Sequence, residues 1–212
     1  MHKPAVFPVY LQAISTFCWC FAADNVPRET TLSNTQAMDK EKLIKNLRTI
    51  PNFPIQGILF YDVTTLLQNP ETLKIVSDSL YEQFKDQGIT KVVGIESRGF
   101  IMGALLAERL GAGFVPIRKP GKLPAETIEE SYNKEYGKDT IQMHKGVIGK
   151  EDIVLLHDDL LATGGTMLAA IKLVKQEMPK KIATSFIIEL KELGGRELIE
   201  EAEAEVKSLL QF

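Results

Sequence analysis

The stretch DIVLLHDDLLATGGTMLAAIKLV, residues 152–174, constrains the fold more than any other part of the chain. Asp152 to His157, DIVLLH, is a buried-type strand whose apolar run from Ile153 to Leu156 is the pattern of a strand covered on both faces of a parallel sheet. A short glycine-containing turn follows, and then a helical pattern from Thr166 to Glu177. A doubly buried strand needs helices on both sides of its sheet, which predicts an α/β domain. In such sheets ligands gather beyond the carboxyl ends of the strands. The helix start there offers unpaired N–H groups and positive dipole character, so it attracts phosphate. Gly164 and Gly165 let the backbone wrap closely around an anion, and Thr163 and Thr166 add hydroxyl donors. The turn lacks the lysine of GxxxxGK[ST], which disfavours an NTPase loop. Taken alone, a Gly-Gly turn serves equally well as a tight connection.

Asp158 and Asp159 sharpen the reading. Two adjacent acids at the end of an apolar strand repel each other unless cations or hydroxyls satisfy them. A solvated strand end is one outcome. The other is a use specific to this place: accepting hydrogen bonds from sugar hydroxyls and supplying negative potential beside an oxocarbenium-like carbon.

The rest of the chain agrees with an α/β domain. Its 212 residues, 44% hydrophobic and 25% charged, suffice for one core of ordinary globular composition. The net charge of −3 argues against a nucleic-acid partner gripped by overall positive charge. Cys18 and Cys20 are the only cysteines, and His2, His144 and His157 the only histidines, so neither a disulfide framework nor a Cys/His metal centre is expected. Residues 1–37 read as an N-terminal extension. It is either dispensable, from a start codon placed too early, or a targeting segment with an apolar run from Ala5 to Ala23. Pro8 interrupts that run, which disfavours a membrane anchor. Met38 opens a charged helical pattern, and residues 38–212 are expected to form one domain.

Within it, helices are expected over Lys40 to Arg48, Pro70 to Gln87 and Gly99 to Leu110. Strands are expected over Lys91 to Ile95, Gly113 to Ile117 and Ile182 to Leu190. Pro51 to Gly57 reads as a bend. Lys119 to Asp139 has no clear period and is long for a connection, which suggests a flexible lid loop.

DDLLATGGT resembles the binding motif for 5-phosphoribosyl 1-diphosphate (PRPP) of type I phosphoribosyltransferases. GILFYDVTTLL (Gly57 to Leu67), GIESRGF (Gly94 to Phe100), RKPGKLPAET (Arg118 to Thr127), EYGKDTIQMHKGVI (Glu135 to Ile148) and ELKELGGREL (Glu189 to Leu198) resemble the adenine phosphoribosyltransferase family in particular, in the right order. The resemblance implies that fold, a mainly parallel central sheet flanked by helices, and the conversion of adenine and PRPP to AMP and diphosphate in purine salvage.

It also implies roles. Ala162, Thr163, Gly164, Gly165 and Thr166 would hold the 5′-phosphate, and Asp158 and Asp159 the ribose hydroxyls. Arg98 would contact the diphosphate, for which a guanidinium fork is well suited, although an arginine paired with a local acid is the simpler alternative. Lys119 and Lys122 would neutralise the departing diphosphate or merely face solvent. Glu135 would handle the purine proton as acid or base, with Tyr136 beside it. Phe60 would stack on the base, with the backbone of Leu59 and Tyr61 reading its edge, although Phe at a strand end is more often core. Mg²⁺ would bind mainly through substrate oxygens, with no dedicated protein metal site. A cytoplasmic homodimer without nucleic-acid or membrane partners is expected. Tyr61, where several relatives carry a basic or amide residue, and His157, where relatives usually have an aliphatic residue or an acid, depart from the family pattern. A transferase for another base (hypoxanthine, guanine, xanthine or orotate) and a non-catalytic PRPP-sensing regulator are the competing readings.

Overall fold

The computed structural model describes residues 28–134 and 137–212. Helix α1 (Arg28–Asn46) leads into a two-stranded antiparallel ribbon, β1 (Arg48–Pro51) with β2 (Leu59–Asp62), followed by α2 (Thr64–Gln68) and α3 (Pro70–Phe84). Then come β3 (Lys91–Ile95), α4 (Gly99–Leu110), β4 (Gly113–Ile117) and a hairpin of β5 (Thr127–Lys134) and β6 (Gly137–His144). The chain finishes with β7 (Ile153–Leu161), α5 (Gly165–Lys175), β8 (Lys181–Glu189), a 3₁₀ turn (Lys191–Leu193), α6 (Gly195–Glu201) and β9 (Glu205–Gln211).

The five strands β4-β3-β7-β8-β9 form one wholly parallel sheet in that order. Neighbouring residues of a strand face opposite sides, and both sides are apolar. Val93, Leu156 and Phe186 join Met167, Ile171 and Ile199 under α5 and α6. Val92, Leu155 and Ala183 join Leu43, Leu80, Phe84 and Leu106 under α1, α3 and α4. Each of these side chains is removed from water, worth about 1.5–3 kcal/mol for a large apolar residue. Local signals agree with the packing: α3 starts at Pro70, where the Asn69 side chain accepts the Glu71 amide at 2.9 Å.

The expected strands at 91–95 and 113–117 and the helix at 99–110 occur with those bounds. Other expected bounds need correction: the helix expected over Lys40 to Arg48 is part of Arg28–Asn46, that over Pro70 to Gln87 ends at Phe84, and the strand expected over Ile182 to Leu190 is Lys181–Glu189. Strand β7 does not stop at His157 but runs on to Leu161, because β8 stays beside it after β3 has ended. Lys119 to Asp139 is not aperiodic: Thr127 onward is the β5–β6 hairpin, paired from Thr127↔His144 to Lys134↔Gly137. Its outer residues are polar, so no apolar alternation marked β5. The helix after the phosphate turn ends at Lys175, not Glu177. The expected domain start at Met38 falls inside α1, and Cys18 and Cys20 lie outside the described residues.

Candidate active site

The site begins where β3 stops. The β3–β7 ladder ends at Gly94↔His157, while β7 continues against β8. Asp158 and Asp159 therefore stand in the gap beside the β3–α4 turn, Glu96-Ser97-Arg98, whose Glu96–Ser97 peptide is cis. Asp159, 5% exposed, forms an ion pair with Arg98 Nε. Arg98 remains half exposed at its other end. One arginine can thus hold the acid and still present terminal N–H groups to an anion. The alternatives set out for Arg98 from sequence, a pairing with a local acid or contact with an anion, are compatible in this geometry.

The two acids differ. Asp158 Oδ1 accepts the Asp159 backbone N–H at 2.9 Å. Burial, reinforced by the Asp159 charge, pushes the Asp158 carboxyl well above the ordinary carboxylate range, against the pull of Arg98. Behind them His157 is fully buried, its Nδ1 3.2 Å from Ser185 Oγ and its Nε2 without a hydrogen-bond partner among the described residues. Burial lowers its pKa to about 4, so it is a neutral core residue at pH 7. This agrees with its reading as a packing difference.

Beyond Leu161 the chain makes the turn Ala162-Thr163-Gly164 and enters α5 at Gly165. Gly164, with φ +80°, is the N-cap, and no side chain caps it. The first amides of α5 therefore face a small pocket of about 110 Å³ lined by Ala162 to Thr166 together with Asp158. A second pocket, about 180 Å³, shares Asp158 and Thr166 with the first and adds Glu96, Arg118, Lys119 and Tyr132. The amides at the start of α5, Asp158 and a wall with Arg118 and Lys119 thus meet in one cleft, while Arg98 and Asp159 line neither pocket and pair with each other beside it.

That wall is built by pairing. Glu96 accepts the Lys119 amide at 2.9 Å and the Arg118 side chain at 3.2 and 3.3 Å, and these bonds hold its carboxyl below the usual range. Lys119 lines the cleft and is ion-paired with Asp139 of β6. Lys122 is exposed and lines neither pocket, although its charge reaches Glu96. Tyr132 of β5 places its hydroxyl 3.1 Å from Thr166 Oγ1 and 3.2 Å from Asp139, tying the hairpin to the start of α5. Sequence reasoning missed Tyr132, Arg118 and Asp139. The one available signal was an aromatic ring in an otherwise polar stretch.

Leu59, Phe60 and Tyr61 lie on β2, away from the two pockets. The ring of Phe60 meets Phe53 edge-on at 5.1 Å, and Tyr61 stacks on Phe212 at 4.5 Å, so the Tyr61 side chain serves packing. Asp62, at the end of the same strand, is held below the usual carboxylate range by Thr64 and then Arg48, and its charge also acts on Arg98. Glu135 and Tyr136 lie outside the described residues.

Comparison with known proteins decides the family. Residues 62–210 match the sequence profile described as "Phosphoribosyl transferase domain". The chain is 67% identical over 176 residues to the adenine phosphoribosyltransferase of Bacteroides fragilis strain YCH46, covering 82% of this chain and 99% of that one. This chain belongs to the adenine phosphoribosyltransferase family. The solved adenine phosphoribosyltransferase of Rhodothermus marinus has 50% identity and a TM-score of 0.77, covering 83% of this chain and 99% of that one. The Giardia lamblia enzyme, solved in complex with 9-deazaadenine, has 41% identity and a TM-score of 0.76 over 82% of this chain and 97% of that one. The family profile takes in Arg98, the acid pair and the phosphate turn, and it begins just after Leu59 to Tyr61. Among the described residues, no helix is long and apolar enough to cross a membrane.

Proposed function

We propose that this chain transfers the phosphoribosyl group of PRPP to N9 of adenine, forming AMP and diphosphate. One observation carries the reading beside the family membership: an uncapped helix N-terminus shares its cleft with Asp158, whose neighbour Asp159 is ion-paired with the half-exposed Arg98. The amides from Ala162 to Thr166 take the 5′-phosphate. Asp158 and Asp159 take the 2′- and 3′-hydroxyls, so the sugar is fixed at both ends. Arg98 and Lys119, with Lys122 at the rim, face the diphosphate. The C1–O bond to diphosphate breaks as the C1–N9 bond forms, and Glu135 takes the purine proton. Catalysis is then mainly orientation and charge stabilisation. Phe60 packs on the base while the backbone of Leu59 and Tyr61 reads its edge.

Mg²⁺ belongs to this proposal. The described residues contain no cluster of three His, Cys, Asp or Glu suited to a metal, and the carboxylates lining the cleft are those of Asp158 and Glu96. An ion there would draw most of its oxygens from PRPP, and when bound it would neutralise diphosphate charge. A cytoplasmic homodimer acting in purine salvage, without a nucleic-acid or membrane partner, completes the reading.

The test is AMP formation by the purified protein from PRPP and a panel of adenine, hypoxanthine, guanine, xanthine and orotate. Turnover with adenine far above the others is the expected result. Preference for another base, or PRPP binding without turnover, would overturn it.

A further inference from the structure

The phosphate turn has a second glycine turn moulded against its back. A Cβ placed on Gly195 would lie 2.2 Å from the Ala162 carbonyl oxygen, 2.9 Å from Leu161 Cδ1 and 3.0 Å from Gly164 N. In the other direction, a Cβ on Gly164 would lie 2.9 Å from the Gly195 carbonyl oxygen and 3.1 Å from its Cα. The two backbones meet this closely only because neither residue has a side chain.

The rear turn is itself clamped. Arg196 donates from Nε to Glu189 Oε1 at 2.8 Å and from Nη2 to Oε2 at 2.6 Å, the planar two-point pairing that fixes orientation as well as distance. Ser208 at 2.5 Å and Gln211 at 3.1 Å also donate to Glu189, and Arg196 Nη1 donates to the Val206 carbonyl at 3.1 Å. Glu189 is 2% exposed and is the register partner of Leu161, the residue just before the phosphate turn. Leu190 N–H also donates to the Leu161 carbonyl at 2.9 Å. Both turns are therefore pinned to the end of β8.

We infer that Gly195 and the Arg196–Glu189 pair are positioning residues for the sugar phosphate, setting from behind the direction in which the phosphate turn aims its amides. This rests on the reading of that turn as the 5′-phosphate site. The link is the rigid peptide plane. The Ala162–Thr163 peptide is trans, so its C=O and N–H point in opposite directions. Gly195 lies against the C=O, and the same plane turns the Thr163 N–H toward the mouth of the turn. Pushing the carbonyl forward rotates that donor away from an anion. Affinity for PRPP then depends on a residue that never touches it, whereas affinity for adenine, held on another element, does not.

The test compares KM for PRPP and for adenine, each at saturating co-substrate, in the full chain and three variants. Gly195→Ala should raise KM for PRPP more than about tenfold and leave that for adenine within about twofold. Arg196→Lys, which keeps the charge and loses the two-point pairing, should raise KM for PRPP by about threefold to tenfold. Gly88→Ala is the control: its φ of +66° makes the substitution destabilising, but it lies before β3, at the opposite end of the sheet from the cleft. It should lower Tm and leave KM for PRPP unchanged. Equal losses for both substrates in Gly195→Ala, or an unchanged PRPP KM in a folded Arg196→Lys, would overturn the inference. If Gly195→Ala does not fold, Arg196→Lys decides alone. If the unaltered chain makes no AMP, the proposed function fails first, and calorimetric titration of PRPP into the same proteins decides the positioning role by the same ratios.

Discussion

Strands β7 and β8 lie side by side and both carry acids toward their carboxyl ends, yet these acids are finished differently. Glu189 at the end of β8 has Arg196, Ser208 and Gln211 around its carboxylate and is held below the usual range, by Arg196 first. The pair at the end of β7 shares one arginine, itself half exposed, and Asp158 is pushed upward by burial and by its neighbour. The same chemical group is a completed structural joint in one strand and an unfinished one in the next. An acid whose needs the protein meets is part of the fold. On the proposed reading, the acid with fewer partners, at a cleft, is the one that would take a ligand's hydroxyls.

Removing each acid should separate the two kinds. Glu189→Ala strands Arg196 and should cost about 3 kcal/mol of stability, measured by urea unfolding. A cost below about 1 kcal/mol would erase the contrast with the β7 end. Next in size is an acid sensitivity contributed by His157, just before the pair. Its pKa is about 4 in the folded chain against an ordinary 6.5. As pH falls through 6.5 the unfolded chain takes up a proton that the folded chain refuses until near 4, so stability is lost over that window by up to about 3 kcal/mol. His157→Val should flatten the dependence of Tm on pH between those values, and an unchanged slope would show that other groups carry it.

Asp159→Asn should reduce turnover more than about tenfold while the urea midpoint moves little, since Arg98 can turn to solvent. Near-normal turnover would remove the ribose role from the β7 end. The smallest effect is expected at the edge of the cleft. Thr166→Ala should raise the dissociation constant for PRPP by about threefold to tenfold, and that for adenine less, by the loss of one hydroxyl bond. Equal changes for both ligands in a titration would move the phosphate site elsewhere.

The contrast between the two ends also shows what sequence can and cannot reveal. The β7–turn–α5 unit is legible because everything that makes it lies within consecutive residues: an apolar run, two acids, two glycines and an amphipathic helix. Even there, the end of β7 escapes a local reading. Its length depends on β8 outlasting β3, which no local pattern records. The hairpin was hidden for a different reason. β5, TIEESYNK, is polar on nearly every residue; its order comes from pairing with β6 and from only two apolar or aromatic side chains, Ile128 and Tyr132, packed against the core. Contacts across long separations were the least legible. Arg98 meets Asp159 across 61 residues, Tyr132 meets Thr166 across 34, and Gly195 fills the space behind Ala162. Family resemblance supplied roles for residues such as Arg98, but not the fact that this arginine and Asp159 hold each other.

A crystal structure of this chain with PRPP bound tests the central claim most directly. The account predicts the sugar phosphate on the amides between Ala162 and Thr166, with the ribose hydroxyls on Asp158 and Asp159. PRPP seated away from the start of α5, with the acid pair still turned only to Arg98, would contradict it.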